Sequence, residues 1–115
     1  MSRGVQSIME GQLHHVGINS DTFEETVRFF ETLFAMDISR TRGEAPHRTV
    51  WFRQGIQINE VPGPLPAGRR IDHLCIQVAD WKATRQKAAA MGCREIEGKP
   101  HWLTSPDGIV IELTQ

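Results

Sequence analysis

Two strand-like segments of this chain carry a histidine at the same place. Gln12-Leu13-His14-His15-Val16-Gly17-Ile18 lines up with Ile71-Asp72-His73-Leu74-Cys75-Ile76, so that His15 matches His73. Further on, Gly55-Ile56-Gln57-Ile58-Asn59 lines up with Gly108-Ile109-Val110-Ile111-Glu112. The chain therefore reads as a duplication, with His15, Asn59, His73 and Glu112 at equivalent points on four strands. Neither half can bury both faces of a sheet alone, so the two halves are expected to pack as one unit. Two imidazoles and a carboxylate that converge are the donor set of a divalent-metal site.

A length of 115 residues sets the scale at a single domain, 1–115, with a modest core. The net charge of −1 and the absence of a basic run argue against nucleic acid as a partner. No apolar run reaches the length of a membrane span, and residues 1–11 lack a signal-peptide stretch, so a cytoplasmic location is expected. Two cysteines, Cys75 and Cys93, are too few for a disulfide framework.

Each half reads as strand, helix and three strands, in modules spanning 12–61 and 70–114. In the first, residues 12–19 form a strand, and Thr22 with Glu25 offers a capping box for a helix from Phe23 to Phe34. Phe23, Val27, Phe30 and Phe34 then make its apolar stripe. Strands follow at 37–42, 47–53 and 56–61, the last two around a Gln54-Gly55 turn. Residues 62–68, rich in proline and glycine, link the modules. In the second, a strand at 71–78 precedes a helix that Asp80 caps and Gly92 ends, then strands at 93–97, at Trp102-Leu103-Thr104 and at 109–114.

Strand side chains alternate. Val16, Ile18, Ile56, Ile58, Leu74, Ile76, Ile111 and Leu113 are expected to face the helices. His15, Gln57, Asn59, His73, Cys75, Gln77 and Glu112 then share the opposite face, where a carboxylate needs a partner or a cation. Parity puts His14 on the helix side. With Ser105-Pro106-Asp107-Gly108 as a four-residue turn, Thr104 pairs with Ile109 and His101 comes opposite Glu112. The same register in the first half puts Arg48 opposite Asn59, and a tighter turn would put Val50 there. Trp51 and Trp102 are expected to pack on the helix side.

Leu13-His14-His15-Val16, the helix from Val27 to Phe34, Ile71-Asp72-His73-Leu74 and Ser105-Pro106-Asp107-Gly108-Ile109-Val110-Ile111-Glu112-Leu113 occur in an order that resembles the vicinal oxygen chelate superfamily. The resemblance covers nearly the whole chain. It implies an α+β fold in which two paired βαβββ modules form curved mixed sheets around a metal-containing cavity. Position by position, the family ligands fall on His15, His73 and Glu112. The fourth position, often Glu, Gln or His in the family, falls on Asn59, a neutral and weak ligand. Ala35 stands where family helices often end in glycine.

The resemblance implies a metal-dependent, glyoxalase-like lyase or isomerase that holds one divalent ion (Zn, Ni, Mn or Fe) and acts on a small substrate with vicinal oxygens. Glu112 would act as ligand and catalytic group, with His101 as the free base. Asn59, Gln57, Gln77 and Arg48 would contact substrate. One alternative is a thiol transferase similar to fosfomycin-resistance enzymes, for which Arg48 with Arg69 or Arg70 gives a thin cationic supply. Another is a metal-free small-ligand binder of the bleomycin-resistance kind. An extradiol oxygenase is disfavoured by the absence of tyrosine. A small chain with open strand edges is expected to form a homodimer.

Overall fold

A computed structural model describes residues 10–66, 68 and 70–115. The described residues divide into two compact units, one His15–Asp72 and the other His73–Gln115 together with Glu10–His14. The fold is α+β, and each unit is built on the order strand, helix, three strands that the sequence predicts. Among the described residues no helix is long and apolar enough to cross a membrane.

The His15–Asp72 unit contains β1 (Gln12–Ser20) from His15 onwards, α1 (Phe23–Leu33), β2 (Ile38–Arg42), β3 (Thr49–Phe52) and β4 (Ile56–Glu60). Its strands lie in the order β2-β3-β4-β1. β1 runs parallel to β4, and β3 is antiparallel to both β2 and β4. Three residues of the expected stripe, Phe23, Val27 and Phe30, meet Val50, Phe52, Ile58, Ile18 and Ile56 in one apolar core, whereas the fourth, Phe34, lies past the helix end and is exposed. The expected capping box does not form, because the Thr22 side chain makes no cap bond. Instead the Thr22 N–H donates to Ser20 Oγ at 3.0 Å, and Ser20 Oγ lies 2.8 Å from Thr26 Oγ1. Ala35, just past the helix, sits at φ 53°, the left-handed position that glycine usually takes. An alanine there carries roughly 1–2 kcal/mol of backbone strain.

The second unit contains β5 (Ile71–Gln77) from His73 onwards, α2 (Trp81–Ala90), β6 (Arg94–Ile96), β7 (Lys99–Thr104) and β8 (Val110–Thr114). The strand order is β5-β8-β7-β6, with β5 parallel to β8 and the other pairs antiparallel. Asp80 caps α2 as expected, accepting from the N–H groups of Lys82 and Ala83 at 3.1 and 3.2 Å. Leu103 and Leu113 are its buried aliphatic residues. The N-terminal end of β1 belongs to this unit: a Cβ built on Gly11 would meet Ile76 Cγ2 at 3.0 Å.

Both hairpins are one residue away from the expected register. β7 and β8 pair Trp102 with Glu112, Leu103 with Ile111 and Thr104 with Val110. Ser105 N–H donates to the Ile109 carbonyl, so the loop is the three residues Pro106, Asp107 and Gly108. Gly108 closes it at φ 97°, the left-handed residue of a three-residue hairpin. β3 and β4 repeat the geometry around Arg53, Gln54 and Gly55, with Gly55 at φ 103°. There Thr49 pairs with Asn59 and Trp51 with Gln57. A slip of one residue exchanges the two faces of a strand. The consequences fall on Arg48, His101, Trp51 and Trp102.

Candidate functional site

The non-helix face of β8 and β5 carries the densest chemistry in the second unit. His73 is only 4% exposed, and its Nε2 lies 3.4 Å from Glu112 Oε1. The parallel register sets Cys75 beside Glu112, on the next strand over. The indole of Trp102, paired with Glu112, meets the His73 ring edge-on with centroids 4.7 Å apart. Trp102 therefore faces the site and not the helix, contrary to expectation, and it fixes the plane of the imidazole. Burial, with the Glu112 carboxylate beside it, pushes the Cys75 thiol up to about 12. With that shift the Cys75 thiol is a weak nucleophile.

The non-helix face of the His15–Asp72 unit is a network of amides. His15, at the head of this unit on β1, is buried at 8% exposure. Trp51 Nε1 donates to Gln57 Oε1 at 3.0 Å, and Gln57 Nε2 donates to Asn59 Oδ1 at 2.8 Å. Thr49 Oγ1 also donates to Asn59 Oδ1, at 3.3 Å, and Asn59 Nδ2 donates to Asn19 Oδ1 at 3.3 Å. Asn19 Nδ2 continues the chain to Asp72 Oδ1 at 3.2 Å. The Asn59 carbonyl thus accepts two bonds, which uses both its lone pairs. It cannot also serve as a fourth ligand without breaking the network. Trp51, expected against the helix, is on this face as well.

The two registers also revise the duplication. Trp51 opposes Gln57 as Trp102 opposes Glu112, and Gln57 lies beside Gly17 as Glu112 lies beside Cys75. Gly17 and Cys75 each follow a duplicated histidine by two residues. The residue equivalent to Glu112 is therefore Gln57, not Asn59. Aligning the two glycine turns misplaces the match by two residues, because the β7–β8 hairpin is longer by two on each arm. Gln57 keeps one carbonyl lone pair beyond the Trp51 bond, and Asn59 holds its amide in orientation.

Two further expectations are corrected. His101 stacks against Trp81 of α2, with ring centroids 3.9 Å apart, and so stands on the helix side, away from Glu112. Arg48 also faces its helix: its guanidinium lies 4.6 Å from the Phe23 ring centroid and holds Glu60 through Nε at 2.8 Å and Nη2 at 2.9 Å. Gln77 keeps the expected parity at the exposed end of β5, paired with Thr114. Arg69 lies outside the described residues, and Arg70 is engaged with Asp21 at 3.2 Å.

The Arg48 pair gives a testable acid response. Hydrogen bonding from Arg48 holds the Glu60 carboxyl at about 2, below its ordinary value of 4.5. Because the folded-state value is the lower one, the stabilisation is complete above about pH 4.5 and is lost as pH falls towards 2. Glu60→Gln should lower the melting temperature at pH 6 and narrow its difference from the parent at pH 2.5. Thermal melts across that range check this, and a constant difference would contradict it.

The chain matches the family model described as a glyoxalase-like domain over residues 15–114. No curated protein sequence matches it. Among solved structures, it is similar to a hypothetical protein of Bacillus halodurans, with a TM-score of 0.71 and 16% identity over 91% of this chain and 94% of that one. A Streptomyces coelicolor methylmalonyl-CoA epimerase variant, in complex with 2-nitronate-propionyl-CoA, gives a TM-score of 0.68 and 18% identity over 89% and 94%. A Mn(II)-bound glyoxalase from Novosphingobium aromaticivorans gives 0.65 and 20% identity, over 89% of this chain and 38% of that longer one. At these identities the likeness establishes the fold.

Proposed function

The chain belongs to the glyoxalase-like family of the vicinal oxygen chelate superfamily, and on that premise we propose that it is a metal-dependent isomerase or lyase acting on a small substrate with two adjacent oxygens. One observation carries the reading: the 3.4 Å separation of Nε2 of the buried His73 from Oε1 of the half-buried Glu112. Two ligands at roughly 2.1 Å from one ion, at tetrahedral or octahedral angles, stand about 3.0–3.4 Å apart. The pair thus has the spacing of two ligands of one cation.

His15, the duplicate of His73, is proposed as the third ligand, and Gln57 as a neutral fourth. A mixed N and O set of this kind suits Zn, Ni, Mn or Fe. The ion, when bound, supplies Lewis-acid polarisation of the two substrate oxygens. The chain's own residues do the rest. Trp102 and Trp51 hold His73 and Gln57 in place. With His101 stacked on Trp81, Glu112 is the group that would take the proton from the carbon beside the two substrate oxygens and return it to the product.

The test is solvent exchange in D2O. Chelator-treated protein and the same protein reloaded with Mn(II) would be offered hemithioacetals, methylmalonyl thioesters and 2-hydroxy ketones. The reloaded protein should place deuterium on one class at least about 10²-fold faster than the chelated protein, the range of general acid–base catalysis. Equal rates with and without metal on every class would overturn the reading.

A homodimer is part of the proposal. Phe29, Leu33 and Phe34 are exposed at the end of α1, an apolar patch of the kind that marks association. Sedimentation at micromolar concentration should return twice the chain mass of 13.0 kDa, and the single-chain mass would contradict this.

A further inference from the structure

On the non-helix face of the His15–Asp72 unit, outside the amide network, stand two arginines on one strand. β2 pairs Arg40 with Trp51 and Arg42 with Thr49, so both side chains share the face that carries Gln57 and Asn59. The Arg40 guanidinium carbon lies 4.6 Å from the Trp51 ring centroid, and that of Arg42 lies 5.2 Å from it. Two like charges are thus gathered on a single indole. Arg48, Arg53 and Arg70 of the same unit each hold a carboxylate. Arg40 and Arg42 form no ion pair with any described residue.

Stacking on an indole covers one face of a guanidinium and leaves its N–H edge open, in a planar fork that matches an oxyanion. It also lowers the freedom that the long side chain would otherwise lose on binding. Two like charges gathered on one indole repel each other, and a bound anion relieves that repulsion. The same indole donates through Nε1 to Gln57, so the platform is tied directly to the proposed ligand set. We propose that Arg40, Arg42 and Trp51 form a subsite for an anionic group of the substrate, a carboxylate or a phosphate. The inference rests on the reading that this face receives the substrate. It narrows that substrate to an acid whose charged group lies apart from its vicinal oxygens.

The experiment is an NMR titration of uniformly 15N-labelled protein at constant ionic strength, with sodium malonate and inorganic pyrophosphate as probes. The chain has three tryptophans, and Trp51→Phe assigns the Trp51 indole peak. That peak should shift and saturate with at least one probe. The tighter probe tells carboxylate from phosphate recognition. The double variant Arg40→Gln, Arg42→Gln should weaken the response by about tenfold or more, through loss of charge-assisted hydrogen bonds. Both positions are exposed, so the variant should keep its fold, which the remaining amide spectrum verifies. A shift that never saturates with either probe, or one unchanged in the double variant, would overturn the proposal. The readout needs neither metal nor turnover. Loss of anion binding alongside intact metal binding removes only this subsite, and the reverse removes only the proposed metal chemistry.

Discussion

His73→Ala is expected to leave the protein without a stably bound divalent ion and to cut turnover at least about a hundredfold. Loss of groups that merely orient a ligand typically costs 10–100-fold in affinity or activity, and removing a ligand should exceed that. The imidazole is also the partner of Glu112 at 3.4 Å and the ring against which Trp102 packs. Its loss frees both neighbours, so the variant's melting temperature must be followed beside its metal content. His101→Ala is the matched comparison. That ring rests on Trp81 of α2, so the variant should keep both metal and turnover. A His73→Ala protein that is folded, loaded and fully active would refute the assignment of His73.

Phe52→Ala should cost about 3–5 kcal/mol of folding stability, the range for deleting a buried aromatic ring. Phe52 is 3% exposed and sits in the core with Phe23, Val50 and Ile58, its ring 6.0 Å from that of Phe30. The deletion leaves a cavity on the face that α1 covers. A domain of this size has a total stability of about 5–15 kcal/mol, so a third or more of it could vanish in one substitution. Urea unfolding measures the effect as a fall in midpoint at constant slope. A loss below about 1 kcal/mol would mean that the helix does not pack on β3 as described.

The sequence made the elements legible because periodicity and capping are local. The stripe Phe23, Val27, Phe30 announces α1, and Asp80 announces the start of α2. The parity of His73 and Glu112 followed from the apolar rows Leu74, Ile76 and Ile111, Leu113. What failed was the register across hairpins, which depends on loop geometry. Gly108 and Gly55 could each end a four-residue turn or occupy the left-handed place of a three-residue loop, and the sequence does not separate these. That single step exchanged Arg48 for Thr49 and His101 for Trp102. The signal that could have corrected it was the second repeat of tryptophan. Trp51 and Trp102 mark the same position in both modules, six residues before Gln57 and ten before Glu112. Arg40 and Arg42 lay beyond sequence reasoning, since only the pairing of β2 with β3 brings them onto Trp51.

Metal stoichiometry decides whether His15, His73 and Glu112 hold one ion. Chelated protein would be equilibrated by dialysis against Mn, Zn, Ni or Fe(II), then analysed for metal and protein in the same sample. About one divalent ion per chain is expected for at least one of these metals, lost in His15→Ala, His73→Ala and Glu112→Ala and kept in Arg40→Gln. A folded protein that takes up none of the four, or that binds as well without those three side chains, would contradict it.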